Sequence, residues 1–244
     1  MTGDSPGKLL GTGRNADVYD IGGGRVLRRY RDTRPSAAVA REAETMRYAR
    51  AHGVPAPEVF DVSGADIVME RATGPTMLDA VGSRPWTARS QIRLLARLHD
   101  QVHAVPGPDW LPDPFGDDGA DGEGSGLVHQ DLHPLNVILT PGGPVIIDWE
   151  GACRGPAAID VAMTWAIIAF SQVPGSRVKA AAYRPAQALL ARWFLRAVGA
   201  PGTDWLRVAI ERRIRDPNVL PVERRALQRK LPGLGVGRGA GEPR

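Results

Sequence analysis

The stretch from Leu127 to Glu150, LVHQDLHPLNVILTPGGPVIIDWE, sets Asp131 and Asp148 beside apolar runs of strand type. A carboxylate close to apolar surroundings is costly unless it is paired, hydrogen-bonded or bound to a metal. A fold for this chain must supply that compensation twice. The runs NVILT and VIID are expected to pair across the turn TPGGP, which places Asp148 at a strand end. Asp131 and Asn136, with four residues between them in sequence, belong to the preceding loop and the strand start. Asp131, Asn136 and Asp148 are expected to point into one cleft. Two carboxylates and an amide are hard oxygen ligands, of the kind that suits Mg2+ rather than a soft transition metal.

The beginning of the chain has a different character. KLLGTG, ADVYDI and RVLRRY alternate with tight connections, and Gly22 to Gly24 suit a turn that needs positive φ. A helix is expected from Ser36 to Ala51, with Val39, Ala43, Met46 and Ala49 as its inward stripe, and HGVPAP ends it. EVFDV and ADIVMERA then read as strands. Five strands and one helix form a small lobe over residues 1–71. In LGTGRNADVY, Gly11 and Gly13 lie between strands, where glycine lets backbone N–H groups approach phosphate oxygens.

From Thr87 onward helical spacing dominates: Ile92, Leu95, Leu98 and Val102 share one face, and further helices are expected over 157–171, 180–198 and 204–215. These elements form a mainly helical lobe over 72–232, and residues 233–244 read as a frayed tail. The fold class is therefore α+β. A single cysteine, Cys153, excludes an intrachain disulfide and a multi-thiolate zinc site, and fits a reducing cytoplasm. The apolar segment Ala157–Phe170 contains Asp160 and is too short to span a bilayer, so no membrane role is expected. The net charge is +4 and only Lys8, Lys179 and Lys230 among the 31 basic residues are lysines. The arginines are spread over helix faces without interleaved aromatics, so no nucleic-acid partner is expected. Oligomeric state leaves no mark in the sequence.

The pair of motifs HQDLHPLN (His129–Asn136) and IIDWE (Ile146–Glu150), in this order, resembles the aminoglycoside phosphotransferase family. These small-molecule kinases are related in fold to choline kinase and the protein kinases. The resemblance runs from about Leu10 to Ile168. It implies a protein-kinase-like bilobal fold that uses ATP and Mg2+ to phosphorylate a hydroxyl of a small-molecule acceptor. Asp131 would then be the catalytic aspartate, and Asn136 and Asp148 would hold the metal. Gly11 and Gly13 would cover the phosphates. Glu42 resembles the helix glutamate that pairs with the phosphate-binding lysine, and Met69, Glu70 and Arg71 resemble the hinge whose backbone reads adenine. His129 resembles the histidine that props the catalytic loop, and Asp160 the aspartate that braces it. His133 reads as a phosphate contact or a packed loop residue, and Trp149 as a packing residue.

Four positions depart from the family pattern. Arg28 stands where the family usually has lysine, and it offers a planar fork in place of a mobile ammonium. Ala16 stands at the third glycine of the kinase-type loop. Gln130 and Leu135 stand where glycine is common. The departures leave two readings open, an active kinase or a catalytically inactive kinase-like regulator that binds nucleotide. Between Val105 and Gly126 there are six acids and no Lys or Arg. Lining the cleft, they would attract a polycationic acceptor such as an aminoglycoside, with antibiotic resistance as the consequence; facing outward, they are a solubilising loop.

Overall fold

The computed structural model describes residues 6–13, 15–31, 34–115, 125–171 and 177–234. They fall into two compact units, one drawn from Met1–Leu78 with Leu135–Ala152 and the other from Asp79–Pro134 with Cys153–Arg244.

The first unit is built on an antiparallel sheet of β1 (Lys8–Thr12), β2 (Ala16–Gly22), β3 (Arg25–Tyr30), β4 (Val59–Ser63) and β5 (Asp66–Glu70), in the order β1-β2-β3-β5-β4. Gly22, Gly23 and Gly24 all take positive φ in the β2–β3 turn, a conformation costly to any residue with a Cβ. Helix α1 spans Ser36–Ala51 as the periodicity predicts and buries Val39, Ala43, Met46 and Ala49. Burying Met46 fully contributes about 1.5–3 kcal/mol. The same face also buries Glu42 and Thr45. Buried Glu42 is the first sign that the helix serves more than packing.

Further along, the chain forms β6 (Gly126–Val128), the strands β7 (Val137–Thr140) and β8 (Gly143–Ile146), and β9 (Cys153–Gly155). β7 and β8 make the hairpin expected from the sequence, with Val137 opposite Ile146. The hairpin belongs to the first unit: Leu139 N donates to Pro75 O at 2.9 Å and Ile146 N to Pro55 O at 2.7 Å. Gly74 makes that approach feasible, because a Cβ there would lie 2.0 Å from Leu139 O.

In the second unit β6 pairs with β9, a contact of three residues per strand that carries no periodicity in the sequence. A short helix α2 (Met77–Ser83), not anticipated, precedes α3 (Ala88–His103), which buries Ile92, Leu95, Leu98 and Val102 as expected. α4 (Ala157–Phe170), α5 (Arg177–Val198) and α6 (Thr203–Arg215) match the expected helices, with α5 starting three residues early. α7 (Pro221–Lys230) opens on a proline at its first position, where the missing N–H costs nothing. α4 and α6 meet through Ile159, Ala162 and Ala209, with Phe115 and Trp205 against them. Among the described residues no helix is long and apolar enough to cross a membrane.

Candidate active site

In the first unit the chemistry gathers on β3. Val26, Arg28 and Tyr30 lie at alternate positions and so share one face of the strand, and Arg28 and Tyr30 both reach Glu42 of α1. Arg28 Nη1 lies 3.3 Å from Glu42 Oε1, its Nη2 donates to Asp148 Oδ1 at 2.6 Å, and the same nitrogen is 3.7 Å from Glu150 Oε2. Tyr30 Oη donates to the second Glu42 oxygen. Burial pushes the Glu42 carboxyl above its usual range, and Arg28 and the Tyr30 hydrogen bond oppose that shift. Burial also works against the Arg28 charge, but Glu42 and Asp148 outweigh it and hold the guanidinium charged more firmly than in water. The sequence-predicted set Arg28, Glu42 and Asp148 is thus one ionic cluster.

Sequence reasoning missed how this cluster extends. Glu150, two residues past Asp148, accepts from Asn15 Nδ2 at 2.7 Å and pairs with Arg34. Glu150 therefore ties the loop after Gly13 and the approach to α1 to the DWE turn. The signal was present in the motif, since Glu150 follows Asp148 at a spacing a single turn brings to one side. Trp149 is buried as expected, and its Nε1 donates to Ile146 O at 2.9 Å.

Asp148 sits at φ 68°, a left-handed conformation costly for a residue with a Cβ. Asn136, largely buried, is joined to the same hairpin end by Ile147 N donating to Asn136 O at 2.9 Å. Asp148 keeps 40 % of its side chain exposed. An accessible carboxylate and a neighbouring amide oxygen are donors of the type Mg2+ takes, so the residues present fit that ion.

Gly13 N donates to Ala16 O at 2.8 Å, and a Cβ at Gly13 would lie 3.0 Å from that oxygen. A Cβ at Gly11 would meet nothing within 4 Å, so the chain's own packing does not demand glycine there. Of the three hinge positions, Met69 is buried in the sheet, and the other two spend their backbone donors inside the unit. Glu70 N donates to Glu58 O at 2.8 Å and Arg71 N to Gly24 O at 2.9 Å, while the Arg71 side chain pairs with Asp20.

In the second unit a buried network surrounds Asp160. Its carboxylate accepts from His129 N at 3.0 Å, Gln130 N at 2.7 Å and His103 Nε2 at 3.0 Å. Burial alone would push this carboxyl up. The His103 hydrogen bond and the charges of the neighbouring histidines outweigh burial and hold it far below the usual carboxylate range. His99, Nε2 3.2 Å from Leu132 O, is pushed down to about 4 by burial and so stays neutral. Thr164 Oγ1 donates to the same carbonyl at 2.7 Å. His99, His103 and Asp160 form a compact cluster of metal-ligating types, but both Asp160 oxygens already serve the backbone N–H groups of His129 and Gln130. The arrangement is a brace for the loop ahead of Asp131. His99 and His103 were missed although their i, i+4 spacing on the inward face of α3 was legible.

Asp131 follows that braced segment, its N–H donating to His129 Nδ1 at 3.3 Å and its carboxylate 3.4 Å from His133 Nε2. Burial opposes its charge, but the His133 hydrogen bond and the nearby positive groups prevail and lower its pKa. An ionised, accessible carboxylate is the form that can accept a proton from a hydroxyl. Gln130 holds φ 68° at the position where glycine is common in the resembling family.

Of the six acids between Val105 and Gly126, Asp109 and Asp113 bind Arg154 on β9, at 2.5 and 3.4 Å. Asp117, Asp118, Asp121 and Glu123 lie outside the described residues, as does the tail from 235. Burial, with Asp160 next in effect, pushes the Cys153 thiol up to about 12, which leaves it unreactive.

Comparison with known structures finds the same fold at low identity. Aminoglycoside phosphotransferase APH(4)-Ia superposes with a TM-score of 0.63 at 17% identity, over 94% of this chain and 93% of that one. A thermostable mutant of it, solved as a ternary complex with AMP-PNP and hygromycin B, gives 0.59 at 20% identity, over 93% and 91%. A choline/ethanolamine kinase family protein from Mesorhizobium loti gives 0.58 at 16% identity, over 94% and 88%. A curated relative, the probable bifunctional tRNA threonylcarbamoyladenosine biosynthesis protein of Methanoculleus marisnigri, is 32% identical over 150 residues, 57% of this chain. The match takes in 24% of that relative's length. The family model described as the phosphotransferase enzyme family, APH, matches residues 7–121 and 117–209, and the chain belongs to that family.

Proposed function

We propose that this protein transfers the γ-phosphoryl group of ATP to a hydroxyl of a small molecule, with Mg2+ as cofactor. The observation that carries the reading is the ionic cluster of Arg28 between Glu42 and Asp148, at 3.3 and 2.6 Å. It reproduces with arginine the helix-glutamate pair that positions a phosphate-binding cation in kinases. Structural neighbours that carry AMP-PNP or ADP support nucleotide use.

In this reading the hydroxyl oxygen attacks the γ-phosphorus, the bond to the β,γ-bridging oxygen breaks, and ADP leaves. Asp131, kept ionised, accepts the hydroxyl proton as the new P–O bond forms. Arg28 offsets charge on the phosphate oxygens, and the glycine segment around Gly11 and Gly13 covers them. Asn136 and Asp148 hold Mg2+, which when bound supplies neutralisation of the phosphate charge. The braced His129–Gln130 segment keeps Asp131 in position, and positioning supplies most of the rate.

A cationic, aminoglycoside-like molecule is the acceptor class we favour, because neighbours of this fold are solved with hygromycin B, streptomycin and gentamicin. Asp109 and Asp113 are spent on Arg154, so an acidic acceptor pocket draws on other carboxylates. A second reading, a nucleotide-binding regulator without transfer, is favoured by the direct Arg28–Asp148 hydrogen bond. The 32% identity to a tRNA-modification protein adds to it a role as nucleotide module beside an RNA-modifying partner. The test is transfer from ATP and Mg2+ into a panel of aminoglycosides, choline-like alcohols, sugars and macrolides, followed by product mass. A mass gain of one phosphoryl group supports the kinase. ATP bound with Mg2+ and no product from any acceptor supports the regulator.

A further inference from the structure

Helices α3 and α5 of the second unit pack along each other and leave between them a cleft of about 210 Å³ lined by Arg89, Ile92, Arg93, Trp193, Arg196 and Ala197. The composition of the two helices is one-sided. α5 contains no Asp or Glu, and the only acid of α3 is Asp100, near its far end. Arg89 and Arg93 stand four residues apart, so they share a face of α3. Arg89, Arg93 and Arg196 are all exposed, and among the described residues no carboxylate pairs with them. Arg89 and Arg93 lie in the first two turns of α3, where the helix dipole disfavours positive charge and the first turn holds no acid to offset it.

Three exposed guanidinium groups of like sign around one concavity raise the local positive potential and so favour an anion there. Arginine presents a planar fork of donors matched to phosphate oxygens, and the apolar wall of Ile92, Ala197 and the half-buried Trp193 ring offers a surface for a flat group. We propose that this cleft binds an organic phosphate carrying a planar ring, the phosphate held by Arg89, Arg93 and Arg196 and the ring against Trp193. The cleft is distinct from the loop that carries Asp131. No residue of that loop or of the Asp160 brace is among those lining the cleft.

The probe is phenyl phosphate, added to the full chain labelled with nitrogen-15. The Trp193 indole N–H resonance is identified by its loss in W193F. We expect that resonance to shift saturably with phenyl phosphate, and the half-saturating concentration to rise by about tenfold in R93E and again in R196E. Should either reversal fail to fold, R93Q and R196Q carry the same test with a smaller expected rise. An indole resonance that does not move, or one that moves equally in wild type and in the arginine variants, would overturn the proposal. An equal response to benzoate would overturn the assignment to phosphate.

Discussion

Arg28 Nη2 donates to Asp148 Oδ1 at 2.6 Å, so the strand cation lies directly on the carboxylate expected to hold the metal. A lysine ammonium at the same place is a point charge on a flexible stem. The arginine fork instead reaches Glu42 and Asp148 together, 3.3 and 2.6 Å away. Metal binding at Asp148 must therefore compete with a hydrogen-bonded cation.

Replacing Arg28 by lysine should ease that competition. We expect R28K to lower the Mg2+ concentration that gives half the nucleotide-dependent thermal shift by about threefold to tenfold, the worth of one partly exposed charged hydrogen bond. An unchanged midpoint would show that the Arg28–Asp148 contact does not oppose the metal.

Glu42 is 2 % exposed and relies on Arg28 and Tyr30. R28M leaves that carboxylate buried without its cation, and breaking a buried pair from one side costs about 3–5 kcal/mol. Urea unfolding of R28M should show this loss, and the double variant R28M/E42Q should recover part of it. No recovery in the double variant would mean that the cluster does not couple the two residues.

Gln130 holds a positive φ directly before Asp131, and the left-handed conformation costs a residue with a Cβ about 1–2 kcal/mol. Q130G removes that cost and gives back part of it in unfolded-chain entropy, so the net expected gain is about 0.5–1 kcal/mol. Urea unfolding checks it. A loss of stability would mean that the buried Gln130 side chain contributes more than its backbone costs.

His99 titrates at about 4 in the folded chain because burial, chiefly, disfavours its charged form, against 6.5 for the free side chain. The unfolded chain thus binds more protons between those values. The stability from neutral His99 is full above pH 6.5 and is lost as pH falls toward 4, on the order of 3 kcal/mol in all. Unfolding free energies measured from pH 7 to 4.5 should fall along that slope, and H99Q should flatten it. The same slope in H99Q would assign the pH dependence elsewhere.

The α1 stripe and the β7–β8 hairpin were legible because each carries its own spacing. The Glu150 hub was hidden because its partners Asn15 and Arg34 are far away in sequence, and only the folded unit brings them together. The His99–His103–Asp160 brace was half visible: Asp160 stood out as an acid in an apolar helix, whereas the two histidines read as ordinary members of an amphipathic one. β6 and β9, three residues each, are too short to show alternation. The left-handed backbone at Gln130 has no sequence signal, since glutamine rarely adopts it, whereas aspartate, as at Asp148, visits it more readily.

The most direct test of the central claim separates binding from transfer in two variants. Wild type, D131N and D148N are each assayed for Mg2+-dependent ATP binding by thermal shift and for phosphoryl transfer to the acceptor found by product mass. The account predicts that D131N binds ATP with Mg2+ as wild type does while transfer falls by at least about a hundredfold. It predicts that D148N loses the Mg2+ dependence of binding together with transfer. Transfer in D131N at the wild-type rate, or Mg2+-dependent binding untouched in D148N, would contradict it.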